Sequence, residues 1–233
     1  MCRALPGRTE AGHAVFAGHI GAALAIGRAE RRVNIGAFVA AGLLLDIVLW
    51  LFVLLGWESV VIPANFAVTH QPAFVFPYSH GLLAALLWSL AAAVVALVAC
   101  VELKQGRLVA AGLFAATVFS HWLLDALVHA PELPLLGAHS TKVGLALWQS
   151  MPVALVVEAG IVVAGLALFL PGSALPRIRK LGLAALCLLV LGFTVLGMTV
   201  APAPPSAPAM AASSLATIVV VGALVSWLGR PQQ

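Results

Sequence analysis

Charge is what this sequence lacks most. Asp, Glu, Lys and Arg make up only 9% of its 233 residues, against about 25% in soluble domains. Hydrophobic residues make up 63% of the chain, and the mean hydropathy is +1.11. This composition excludes an ordinary soluble domain and predicts a polytopic membrane protein.

Cysteine is scarce as well, with three in the whole chain. Cys2, Cys100 and Cys187 are far apart, and two of them lie in apolar runs, so we expect neither a disulfide framework nor a zinc knuckle. The formal net charge is +4, but the basic residues fall in small groups between apolar runs. Because nucleic-acid-binding surfaces gather their basic residues into one patch, we expect no nucleic-acid partner.

Long apolar runs are abundant. A helix needs ~20 apolar residues to cross the ~30 Å hydrocarbon core of a bilayer. Runs of about that length cover residues 35–56, 80–101, 108–130, 146–170, 181–200 and 211–229, and a shorter run covers 13–28. We predict an all-α transmembrane helix bundle of six or seven spans, forming a single integral membrane domain over residues 1–233. The short run either spans, or is re-entrant or interfacial, and residues 1–14 are not expected to be a cleaved signal peptide.

Basic residues alternate between the connections of these runs. They occur in 28–32, at Lys104 and Arg107, in 171–180 and at Arg230, whereas 57–79 has none and 131–145 has only Lys142. Basic connections face the cytoplasm. We therefore expect a cytoplasmic C-terminus, with the connections 57–79 and 131–145 on the outside.

Ionisable side chains interrupt the apolar runs at a few positions. They are His19, Asp46, His80, His121, Asp125, His129 and Glu158. Such groups are costly in a bilayer and usually face a protein interior or a water-filled cavity. At ~1.5 Å per helical residue, five of them from four segments can meet in the outer half of the membrane, above Glu158 at mid-depth. By contrast, His13, Glu58, His70 and His139 lie near or outside the membrane, and we expect them to be solvated.

The stretch "FSHWLLDALVHAPE" places His121 and Asp125 four residues apart, on one helical face, within reach of one metal ion. With His19, Asp46 and His80 nearby, nitrogen and oxygen donors suit Zn²⁺, Mn²⁺ or Fe²⁺. We expect one divalent ion, with a second left open. His129 is ~12 Å along the axis from His121, too far to share its ion.

Several alternatives stay open for individual residues. His129 is a ligand of a second ion, a substrate-binding residue, a residue behind the ligands, or an interfacial histidine. The His121–Asp125 pair also fits a proton relay without metal. His19 and His80 also fit headgroup contacts, and Glu158 also fits a helix–helix hydrogen bond.

The sequence resembles a bacterial inner-membrane family, the YdjM-like membrane-bound metal-dependent hydrolases. The similarity covers roughly residues 15–130 and rests on "AGHIGAALAIG", the second span with its acid, "YSHGLL" and "FSHWLLDALVH". The family pattern has a first-helix histidine, Pro-Asp-x-Asp, Arg-Gly-x-Thr-His-Ser and Ser-His-x-x-x-Asp. Carried over, it implies His19, Asp46, His80, His121 and Asp125 as the polar site.

The chain departs from this pattern in two places. One acid, Asp46, stands where the family has two, and "FPYSHG" lacks the arginine and threonine before His80 and the serine after it. Loss of the second acid puts a second metal, or catalysis itself, in doubt. Residues 15–170 form the family-like core, and 181–229 add two helices that the resemblance does not cover.

Three functions follow from these residues. The first is a metal-dependent hydrolase of the bacterial cytoplasmic membrane, with Glu158 or His129 as general acid or base and a lipid-like or phosphoester substrate. The second is a proton- or metal-coupled transporter that uses the same side chains. The third is a structural membrane protein whose polar groups bond helices together.

Overall fold

The computed structural model describes residues 16–103 and 106–230, and this part of the chain is mostly helical. Its helices are α1 (Ala17–Gly27), α2 (Ile35–Gly42), α3 (Leu44–Leu55), α4 (Phe66–Thr69), α5 (Leu82–Ala99), α6 (Arg107–Val128), α7 (Met151–Phe169), α8 (Arg177–Thr199) and α9 (Ala207–Leu228). A 3-10 turn, Leu147–Ser150, leads into α7.

The connections contain short strands, which the all-α prediction did not include. Strands β1 (Ser59–Val61) and β2 (Ala73–Val75) pair antiparallel, and so do β3 (Leu133–Pro134) and β4 (Lys142–Val143). All four lie between the apolar runs. The apolar runs are helical as predicted, and the strands are confined to the two longest connections.

The long helices match the predicted apolar runs. Five of them, α5 to α9, are long and apolar enough to cross a membrane. Helices α2 and α3, in the run 35–56 that we predicted as one span, together pass the same test, but they are bent by 50° at Leu43. The described residues therefore contain five candidate spans, or six if the bent pair counts as one. This suggests a multi-pass protein in a lipid bilayer.

Helix α1 is too short to cross. Its eleven residues rise about 16 Å, roughly half of the hydrocarbon thickness. It is nevertheless buried, and it packs tightly on α7, because a Cβ atom at Gly21 would lie 2.6 Å from the carbonyl oxygen of Ile161. A seven-span arrangement would need residues before Phe16, and the predictions for residues 1–14 and for His13 lie outside the described residues.

The basic connections gather at one end of the bundle. Arg179 Nη1 donates to the Arg230 carbonyl (2.8 Å), and a Cβ atom at Gly106 would lie 2.6 Å from Arg32 Nη2. The strands lie at the other end, where Leu83 N donates to Leu135 O (3.0 Å). The chain therefore separates its basic connections from its strand-containing ones, as the alternation of charge predicts.

Helix α5 has an exposed apolar face. Leu86, Leu90, Val94 and Val98 recur every four residues and are all exposed. A helix face of this kind is typical of contact with lipid. The core lies on the other side of the bundle, where Phe38, Leu43 and Leu45 are completely buried.

Candidate metal centre

Polar side chains from three helices and one turn meet inside the bundle. His19 lies in the first turn of α1, Asp46 in the first turn of α3, His80 in the turn before α5, and His121 and Asp125 on one face of α6. All five residues are buried, with at most 7% of their surface exposed. The structure therefore brings together all five residues that the sequence nominated as metal ligands.

Three donor atoms form a nearly equilateral triangle. His80 Nε2 lies 3.2 Å from His121 Nε2, and each of these nitrogens lies 3.2 Å from Asp125 Oδ2. Two ligands 2.0–2.2 Å from a tetrahedral ion are about 3.4 Å apart. The three residues therefore have the spacing of one tetrahedral face and could hold a divalent ion.

The remaining two residues extend this triangle. Asp46 Oδ1 is 3.8 Å from Nε2 of both His80 and His121. His19 stacks on His121 with ring centroids 3.7 Å apart, and its Nε2 lies 3.3 Å from Asp125 Oδ1. Among the described residues, His19 Nε2 has only this contact, and His19 Nδ1 has no hydrogen-bond partner. His19, Asp46 and His121 form a second group that could hold a metal.

The Nδ1 atoms of His80 and His121, which point away from the cluster, both contact polar groups. His121 Nδ1 lies 2.7 Å from the Gly42 carbonyl, and His80 Nδ1 lies 2.7 Å from Ser79 Oγ. Because a carbonyl only accepts, Nδ1 of His121 carries a proton, and a neutral ring then presents the Nε2 lone pair to the cluster. Metal-binding histidines are typically oriented in this way.

The Gly42 carbonyl is available because α2 ends there, at the bend. A side chain at this position would crowd α1, since a Cβ atom would lie 3.1 Å from Ala23 Cβ and 3.2 Å from the His19 carbonyl oxygen. Broken helices inside a membrane are tolerated where they are buried in protein. The sequence did not predict this bend.

Glu58 was also missed. We expected it to be solvated, but it is buried, and its Oε1 accepts hydrogen bonds from the backbone N–H groups of Tyr78 (2.7 Å) and Ser79 (2.9 Å). Burial raises the pKa of this carboxyl, against the lowering effect of the bonds from Ser79 and Tyr78. Its bonds hold the turn that carries His80.

The histidines outside the cluster had mixed outcomes. His70, which we also expected to be solvated, is buried beside Phe66. His139 is exposed, as expected.

The side chain of Glu158, on α7, contacts the N-terminus of α1. Its Oε1 accepts a hydrogen bond from Gly18 N (2.8 Å), where the positive end of the helix dipole favours a carboxylate. Glu158 also lines a small cavity together with His19 and Asp125. Glu158 therefore contacts α1, which carries His19, and belongs to neither metal-binding group of the described residues.

His129 ends α6 on the strand side of the cluster. Its Nδ1 lies 2.6 Å from Glu132 Oε1, and its ring packs against Trp148 with centroids 4.1 Å apart. It shares a small cavity with Asp46, His80 and Asp125. His129 is in neither metal-binding group of the described residues, so the geometry favours a role beside the ion.

No family model, curated protein or solved structure matches the chain. The resemblance to the YdjM-like family therefore stays a prediction that rests on the sequence motifs.

Proposed function

We propose that the protein is a membrane-embedded metal-dependent hydrolase whose centre is formed by His80, His121 and Asp125, with Asp46 and His19 beside them. The observation that carries this proposal is the triangle of donor atoms with 3.2 Å edges. A triangle of three protein ligands leaves a fourth tetrahedral position open, which is typical of catalytic rather than structural zinc sites.

The donor set fits Zn²⁺, Mn²⁺ or Fe²⁺, because imidazole and carboxylate ligands suit all three. When bound, such an ion supplies a Lewis acid and lowers the pKa of a water ligand toward neutrality. The chain supplies the orientation: the Gly42 carbonyl and Ser79 Oγ hold the two ligand rings. Burial of the cluster excludes bulk water.

In this proposal, His129 or Glu158 acts as the general acid or base that transfers the proton. The Glu132 carboxylate holds the His129 ring at the edge of the cavity that contains Asp46 and Asp125. Glu158 lines a second small cavity, together with Asp125 and His19. A proton donor or acceptor in each of these two cavities suits ester hydrolysis, in which one group activates water and another protonates the leaving oxygen.

The surroundings favour a lipid-like or amphiphilic ester, either a phosphoester or a carboxyl ester. The centre lies within apolar helices, and Phe74, Phe76 and Trp148 line the cavity around His129. The positive-inside rule places the basic end in the cytoplasm and the strands outside. This orientation puts the site in the outer half and the C-terminus inside, and the resemblance to the YdjM-like family supports a bacterial cytoplasmic membrane.

A transporter with the same residues would need polar groups that continue to the basic end. Between the cluster and that end, α1 contributes Ile20 and Leu24, and α2 contributes Ile35 and Phe38, all buried. This apolar packing favours a one-sided site over a path for ions. Uptake of protons or divalent ions into proteoliposomes that depends on Asp46 and Glu158 would favour transport instead.

Ester hydrolysis by the purified protein tests the proposal. In nanodiscs loaded with Zn²⁺ or Mn²⁺, the wild type should cleave a phosphoester or a carboxyl ester with an acyl chain, and His121→Asn should reduce the rate to background. His70→Asn is the matched control, because His70 is a buried histidine outside the metal-binding groups. Equal rates for wild type and His121→Asn would refute a metal-dependent reaction.

A further inference from the structure

The two oxygens of Asp125 face different histidines. Oδ2 lies 3.2 Å from Nε2 of His80 and of His121, whereas Oδ1 lies 3.3 Å from Nε2 of His19. Each carboxylate oxygen therefore contacts a different set of histidine nitrogens. A carboxylate that bridges two cations has this arrangement. One ion on Oδ2 would leave Oδ1 and His19 available for another.

The stacked imidazoles have the spacing that two ions require. The rings of His19 and His121 are parallel within 4°, and their centroids are 3.7 Å apart. Each ring directs Nε2 toward the same carboxylate. Two-metal hydrolytic sites hold their ions about 3.5–4 Å apart. Two parallel imidazoles at this distance can therefore present one nitrogen to each ion.

A single ion leaves part of the cluster unexplained. His121 can bind only one ion, because its Nδ1 is bonded to the Gly42 carbonyl and Nε2 has one lone pair. His19 is 97% buried; among the described residues its Nδ1 has no hydrogen-bond partner, and its Nε2 has only the 3.3 Å contact with Asp125 Oδ1. Buried polar atoms normally have partners. A second ion on Nε2 would give His19 one.

We propose that the centre is dinuclear, with one ion on His80, His121 and Asp125 Oδ2 and a second on His19 and Asp125 Oδ1. Asp46 is the remaining oxygen donor, since its carboxylate forms a metal-binding group with His19 and His121. This inference rests on the proposed function and deepens it.

The number of ions bears on the substrate. Asp46 and Asp125 neutralise one divalent ion, so a second ion leaves the centre positive, even with Glu158 counted. An anionic ester, that is a phosphoester, is then preferred over a neutral carboxyl ester.

The test is Mn²⁺ stoichiometry measured by elemental analysis, combined with electron paramagnetic resonance. The wild type should bind two Mn²⁺ per chain and give the spectrum of an exchange-coupled pair. His19→Asn should bind one Mn²⁺ and give the six-line spectrum of an isolated ion, at an unchanged elution volume in size-exclusion chromatography. His70→Asn, which changes another buried histidine, should retain two.

The number of Mn²⁺ ions per wild-type chain tests the dinuclear centre even if the His19→Asn variant does not fold. One Mn²⁺ per wild-type chain would overturn the dinuclear centre and leave the proposed hydrolase standing on the triangle. Two uncoupled ions, or two ions retained by His19→Asn, would also overturn it. No Mn²⁺ or Zn²⁺ in the wild type would overturn the proposed function itself.

Discussion

At the scale of single residues, Ser79 is the group that orients the ring of His80. Its Oγ lies 2.7 Å from His80 Nδ1 in a fully buried position. Loss of a hydrogen bond behind a metal ligand typically weakens metal binding 10–100-fold. Ser79→Ala should therefore weaken Zn²⁺ affinity about tenfold or more, measured by competition with a chromogenic chelator.

Ser89→Ala is the control for this change. Ser89 is also buried and its hydroxyl also makes one bond, but it donates to the Ala85 carbonyl within α5. Its Zn²⁺ affinity should equal that of the wild type. Equal weakening by both substitutions would mean that Ser79 acts through general stability and not through His80.

Glu58 predicts how stability depends on pH. Burial raises the pKa of this carboxyl above its ordinary value of 4.5, so the folded protein holds the proton more tightly than the unfolded chain does. The contribution to stability is complete below pH 4.5 and is lost as the pH rises through the folded-state pKa.

Glu58→Gln keeps an oxygen for Tyr78 N and Ser79 N but cannot titrate. The free energy of unfolding of the wild type, minus that of Glu58→Gln, should therefore fall as the pH rises from 4.5 toward neutrality. Urea unfolding in detergent, followed by tryptophan fluorescence, measures this difference. A difference that stays constant over the window would contradict the burial of a titrating Glu58.

At the scale of elements, glycines hold α1 against α7. A Cβ atom at Gly165 would overlap the Gly21 carbonyl, whereas one at Gly160, on the same helix, would meet nothing within 4 Å. Gly165→Ala should cost about 1–3 kcal/mol of stability through overpacking. Gly160→Ala should be neutral or stabilising by up to about 1 kcal/mol, because alanine favours helix.

Displacement of α1 should also move His19 and thereby reduce metal binding. Unfolding in detergent and metal affinity, measured on the same two variants, test this link between packing and the centre. If Gly165→Ala and Gly160→Ala behave alike in both measurements, α1 is not held by this contact.

The sequence predicts some of these elements and misses others. Hydrophobic runs predicted the long helices well, because a bilayer demands ~20 apolar residues per span and little else in the chain competes with that signal. The bend at Leu43 was missed, because a run of apolar residues has the same composition whether it is straight or broken. The strands were missed because short pairs in connections depend on contacts that no local pattern encodes.

At the scale of the whole molecule, the separation of charge predicts its orientation. Leu136 and Ile178 are both well exposed, the first in the strand-containing connection and the second at the basic end of α8. In a background without the native cysteines, Leu136→Cys should react with a membrane-impermeant maleimide in intact cells. Ile178→Cys should react only after lysis, and the reverse pattern would contradict the cytoplasmic C-terminus.

The candidate site was predictable in its membership but not in its arrangement. Ionisable residues are rare in apolar runs, so His19, Asp46, His80, His121 and Asp125 stood out from the sequence. The distances between them depend on how four segments pack, and neither the Gly42 carbonyl nor Glu58 carries a sequence signature. The resemblance to a hydrolase family adds an expectation about chemistry that the geometry accommodates.

The metal content of the purified protein tests the central claim most directly. Wild-type protein extracted in mild detergent without chelators should carry at least one Zn, Mn or Fe ion per chain, measured by elemental analysis. Asp125→Asn should carry less than a tenth of that amount, because its carboxylate supplies one corner of the triangle and also faces His19, while His70→Asn should match the wild type. A folded wild-type protein that binds no divalent ion, or an Asp125→Asn variant that retains the full amount, would contradict the account.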